Sequence, residues 1–140
     1  MVREDVTMTK PIIQTYYHPF EITIPGAGQK VLIEQPLPLN WDEAVGVVLI
    51  NPGGNHGKGI FELSVGGEEI FPSGFHARAY MQTLSSNYQD AIIVKELDRY
   101  MYAIQEAAKG ATVKASYSEP QSGSKGMLYL YIKLTRELKL

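Results

Sequence analysis

Ile60-Phe61-Glu62-Leu63-Ser64-Val65-Gly66-Gly67-Glu68-Glu69-Ile70-Phe71 is the stretch that decides the fold class. Apolar and polar residues alternate on either side of Gly66-Gly67, the period of a strand with one buried face. Two consecutive glycines suit the positive φ values that primed two-residue turns demand. The stretch therefore predicts a β-hairpin in which Leu63 faces Ile70 and both point inward.

Upstream, Ala44 to Ile50 is an apolar run short enough to be a strand buried on both faces, ended by Asn51-Pro52-Gly53-Gly54. Before it, Phe20, Ile22 and Ile24 alternate with Glu21 and Thr23, Pro25-Gly26-Ala27-Gly28 turns the chain, and Val31 to Ile33 resumes a strand. Pro36-Leu37-Pro38 is expected to leave regular pairing, because proline has no ladder donor. Downstream, Phe75, Ala77, Ala79 and Met81 share one face of a further strand. Ala111 to Ser118 and Met127 to Leu134 then flank the loop Glu119 to Gly126 as a second hairpin.

Asp90 to Lys109 supports two readings. Leu97, Met101, Ile104 and Ala108 fit a helical stripe, whereas Ile92-Ile93-Val94 and Tyr100-Met101-Tyr102 fit strands. A strand over Tyr100 to Ile104 is preferred, followed by a helical turn over Gln105 to Lys109 closed by Gly110. One long helix is the alternative.

About seven or eight short strands with turn signals between them indicate a mainly β, antiparallel sandwich or jelly-roll-like domain with at most one short helix. A length of 140 residues suits one such domain over 18–140, preceded by a polar arm from Met1 to Tyr17 that carries no sustained period.

Charge and composition narrow the function. A net charge of −2 supplies no basic excess for phosphates, so no nucleic-acid partner is expected. The absence of cysteine removes disulfides, thiolate metal sites and cysteine nucleophiles. Met1 to Lys10 holds no apolar run, so neither a signal peptide nor a membrane partner is read there and a cytosolic origin is expected.

Gly53-Gly54-Asn55-His56-Gly57-Lys58-Gly59 looks like a phosphate loop, but Pro52 and Gly59 stand where that motif needs a glycine and a hydroxyl, and a strand follows it. It reads as a flexible connection with His56 at its tip. His18, His56 and His76 share no ligand spacing, with His76 expected on the solvent side of a strand, so no metal or other cofactor is expected. Glu68 and Glu69 point to opposite faces, no serine lies in a nucleophile elbow, and no enzyme activity is expected. In the last strand Leu128, Leu130, Ile132 and Leu134 share one face, and Met127, Tyr129, Tyr131 and Lys133 the other. Two apolar faces need two coverings, and the second could be more of this domain, a neighbouring subunit or a sugar ring.

The hairpin Phe61 to Phe71, with its continuation Pro72-Ser73-Gly74-Phe75, resembles small β-sandwich or jelly-roll virion proteins of bacteriophages, of the auxiliary or head-decoration type. The likeness runs from Pro36-Leu37-Pro38 to the final Tyr129 to Leu134 strand. It implies a structural role in a virion assembled in the host cytoplasm, with other virion proteins and further copies of the chain as partners and no chemistry performed. No functional residues transfer with it. From the residues themselves, the expected interface is Tyr129 and Tyr131 with Tyr16 and Tyr17 of the arm. The alternative is a carbohydrate-binding sandwich module in which Trp41 stacks on a sugar ring.

Overall fold

The computed structural model describes residues 12–52, 56–71, 76–77, 81–83 and 97–138. The arm residues 1–11, the loop residues 53–55, the strand positions 75 and 78–80, and the segment 90–96 lie outside the described residues. The chain is mainly β, as its alternation predicts, and two sheets pack face to face.

The first sheet contains β1 (Ile12–Ile24), β9 (Gly126–Leu138), β3 (Glu43–Asn51) and β6 (Met81–Thr83) in that order, with β7 (Tyr102–Ala107) also paired to β3. All its pairings are antiparallel except β3 with β6. The second sheet is antiparallel throughout, in the order β2 (Lys30–Pro36), β8 (Thr112–Ser118), β4 (Ile60–Val65) and β5 (Glu68–Phe71). Between the sheets lies the main core, where Phe20, Ile22 and Ile24 of β1 and Leu128, Leu130, Ile132 and Leu134 of β9 meet Phe61, Leu63 and Val65 of β4 and Val113 and Tyr117 of β8. Alternation with period two puts each of these sets on one face, and their burial drives the two sheets together.

β3 is buried on both sides, as its unbroken apolar run requires. Val47 and Leu49 enter the main core, while Val48 and Ile50 form a second cluster with Leu97 on the far side of the first sheet. A bulge between Ala44 and Gly46 shifts the register and lets both Ala44 and Val47 face the same core. A helical turn over 97–100 and Met101 cover the far side, and a Cβ on Gly46 would lie 2.9 Å from the Met101 sulfur.

Several expectations change in detail. Gly66 and Gly67 take φ of 60° and 87°, the primed turn foreseen, yet Leu63 pairs with Phe71 because a bulge displaces Ile70. The exchange buries the larger phenyl ring and leaves Ile70 half-buried. Ile12 to Tyr17, expected in an arm, are the first half of β1 and pair with β9 throughout. The boundary expected at residue 17 thus falls inside a strand. Pro36 remains paired with Thr112, its missing donor being harmless at a sheet edge, and Leu37 is buried.

β8 and β9 belong to different sheets, so the loop between them crosses the sandwich instead of closing a hairpin. Gln105 to Ala107 extend β7, because pairing Glu106 and Ala107 with Ala44 and Glu43 outweighs their helix propensity. Gly110, at φ 77°, closes a turn in which Ala111 N–H donates to Ala108 O at 3.0 Å.

Candidate assembly surface

The four tyrosines read as an interface divide between two environments. Tyr17, Tyr129 and Tyr131 lie on the far side of the first sheet and pack on the cluster of Val48, Ile50 and Leu97 together with Tyr100 and Met101. The second apolar face of β9 is thus covered in part by this same domain, with Tyr129 and Tyr131 half-buried. Beside it, Tyr17 Oη donates to Asp98 Oδ1 at 2.8 Å and Lys133 Nζ donates to the same oxygen at 3.0 Å. The hydrogen bonds from Lys133 and then Tyr17 hold the Asp98 carboxyl below its ordinary value. Burial, then the bond to Asp98 and its negative charge, push the Tyr17 phenol up to about 12.

Tyr16 faces the other way, with the even-numbered residues of β1. Toward the N-terminal end of the strand this core face passes from buried Phe20 to half-buried His18 and exposed Tyr16. Burial lowers the His18 pKa, and its ring packs edge-on against Phe20 at 4.8 Å. Tyr16 stacks on Trp41 at 5.6 Å between ring centroids, and the Arg136 guanidinium lies 4.6 Å from the indole centroid. Arg136 is itself anchored by donating to Gln14 Oε1 at 2.7 Å and to Asn40 O at 3.3 Å. Trp41 is half-buried against the main core, and a sugar would have to share its ring with Tyr16 and Arg136.

Two sheet ends lie next to each other. β1 ends the first sheet and β2 ends the second, and each pairs with a single strand among the described residues. A cleft of about 540 Å³ runs along them, lined by Pro19, Phe20 and Glu21 of β1, Ile33 and Gln35 of β2, and Tyr129 and Tyr131 of β9. These two strands also carry exposed large apolar side chains outside the cleft: Ile12 is 45% accessible, Ile13 55%, Tyr16 39% and Leu32 72%. Edge strands offer unpaired N–H and C=O groups in a row, and apolar side chains on them add a driving force for pairing with another chain.

The glycine loop has another role than flexibility. His56 is buried, not at a tip; its Nε2–H donates to Met127 O at 2.7 Å, and its own carbonyl accepts from Asn51 Nδ2 at 3.0 Å. Gly57 N–H donates to Glu119 Oε1 at 3.1 Å and Gly59 N–H to Tyr117 Oη at 2.9 Å. Tyr117 Oη–H in turn donates to Glu119 Oε1, and Ser124 N–H binds Oε2 at 3.0 Å. Burial and the bond to Glu119 raise the Tyr117 pKa. A Cβ on Gly59 would lie 1.7 Å from Ser118 O, so only glycine fits where the loop crosses β8. Sequence reasoning missed Glu119, although it continues the core face of Val113, Ala115 and Tyr117 two residues beyond the last of them.

His76 is exposed and bridges to Ile60, as a solvent-facing extended residue should. Among the described residues no three His, Asp or Glu side chains converge as metal ligands. In comparisons with family models, with curated proteins and with solved structures, nothing matches this chain.

Proposed function

We propose that this protein is a non-enzymatic structural component that acts by assembly with other protein surfaces, of the capsid-auxiliary or head-decoration kind its Gly66-Gly67 hairpin resembles, within a bacteriophage virion. One observation supports the assembly role above others. Of the six exposed large apolar side chains among the described residues, four lie on the adjacent edge strands β1 and β2. A protein that worked alone would gain nothing from a side that joins unpaired backbone to apolar side chains. Its partners are further copies of the chain and other virion proteins.

Light scattering of the full chain over a concentration series tests this, together with co-sedimentation on assembled phage capsids. A defined oligomer of the 15.6 kDa chain, or saturable capsid binding, is expected. A strict monomer that leaves capsids unbound would overturn the proposal.

A further inference from the structure

The second sheet carries a more specific instruction at its β2 edge. Gln29 O accepts from Glu119 N–H and Leu37 N–H donates to Ala111 O, each at 2.9 Å. These bonds fix the parity of the strand: odd-numbered residues turn their backbone groups toward β8. The even-numbered ones, Lys30, Leu32 and Glu34, therefore turn theirs toward the side that no described strand covers. The same three residues send their side chains to the outer face and are exposed, whereas Val31 and Ile33 pack against the core.

We propose that β2 pairs antiparallel with β2 of a second copy about a twofold axis through Leu32, joining two four-stranded sheets into one continuous sheet. The inference rests on the assembly reading and names its partner. In this register Leu32 meets Leu32 of the second copy, and Lys30 meets Glu34 on both sides of the axis. The most exposed of the large apolar side chains among the described residues is then covered by its own equivalent, flanked by two ion pairs. All three residue pairs have backbone groups aimed at each other, which gives about six new hydrogen bonds.

Neighbouring registers of the same parity, with the axis through Val31 or Ile33, set Leu32 opposite Lys30 or Glu34 and forfeit both the leucine pair and the ion pairs. One step further, an axis through Lys30 opposes two lysines and one through Glu34 two glutamates. Pro36, with no N–H to give, ends the ladder at one side. At the other end of this sheet β5 presents Glu68 and Glu69, a pair of carboxylates that discourages self-pairing there.

A charge swap tests the axis in the full-length chain. Lys30→Glu or Glu34→Lys alone places like charges opposite each other twice and weakens dimerisation about tenfold by sedimentation equilibrium. The double variant K30E/E34K restores the attraction and the wild-type dissociation constant, a rescue that general damage to the fold could not produce. In addition, Leu32→Cys in this cysteine-free chain should oxidise to a covalent dimer, because a directly opposed pair has its Cα atoms about 5.5 Å apart. An oligomer whose affinity is the same in the single and double variants would overturn the β2 axis while leaving assembly intact. A wild-type chain that stays monomeric refutes the axis, and the wider reading then stands or falls on capsid co-sedimentation.

Discussion

Replacing Glu119 with alanine removes one acceptor group from three donors. Gly57 N–H, Ser124 N–H and the Tyr117 hydroxyl all end on its carboxylate, in a site where Glu119 is only 3% accessible. A buried donor left without an acceptor costs about 1–3 kcal/mol. Some of that is recovered, since the vacated space can admit water and the burial of the carboxylate is relieved. A net loss of roughly 3–6 kcal/mol follows, a large part of the 5–15 kcal/mol by which domains of this size are ordinarily stable. Urea unfolding followed by the fluorescence of the single tryptophan, Trp41, measures it directly. Glu119→Gln keeps one oxygen for the shared Tyr117 and Gly57 donors and should lose less. If Glu119→Ala unfolds within about 1 kcal/mol of the wild type, the argument that this carboxylate anchors the loop would be wrong.

Four further outcomes are expected. Tyr17 should be among the last phenols to ionise in a spectrophotometric titration, since its pKa is raised to about 12. The stability it contributes is complete below pH 10, where an unfolded tyrosine is still protonated, and is lost as pH rises toward 12; Tyr17→Phe should remove that part of the alkaline decline. Asp98 has a lowered pKa, so its contribution is present above the ordinary carboxylate range and lost as pH falls through the lowered value; Asp98→Asn should flatten the acid limb of the unfolding curve. Gly66→Ala and Gly67→Ala each place a Cβ at positive φ and should cost about 1–2 kcal/mol in urea unfolding, with no effect if the turn can relax to negative φ. Replacing Tyr129 and Tyr131 by serine should lower the unfolding midpoint, because both pack on the Val48, Ile50 and Leu97 cluster; weaker association at an unchanged midpoint would instead make them interface residues.

What could be read from the sequence was the part ruled by local pattern. The β4–β5 turn follows from two glycines in succession, and β3 from an apolar run with no polar face. The far face of β9 was visible too, although its tyrosines left three coverings open, with packing inside this domain the foremost. The first half of β1 was hidden because neither face is fully buried there: polar Gln14 and aromatic Tyr16 lie on the same side as Phe20, so the contrast that reveals alternation fades. β7 was obscured by helix-forming residues whose pairing with β3 is decided far away in sequence. The bulges at β3 and β5 likewise answer to the partner strand and to the space available in the core. As for the surface, the exposed Leu32 gives no local signal, since Val31-Leu32-Ile33 reads as continuously apolar. The backbone parity that turns Leu32 outward is set by β8.

The pairing of β1 with β9 also sets a constraint on how the chain is made. Ile12 stands opposite Leu138, so β1 waits for β9, more than a hundred residues later, before its sheet can close. With β9 also lying between β1 and β3, a chain emerging from the ribosome holds two apolar strands whose shared neighbour does not yet exist. Loop-closure entropy over such separations slows folding, and uncovered strands are the species that associate wrongly in the interval. Nascent chains stalled before β9 should therefore depend on chaperone binding, and shed it once that strand is released.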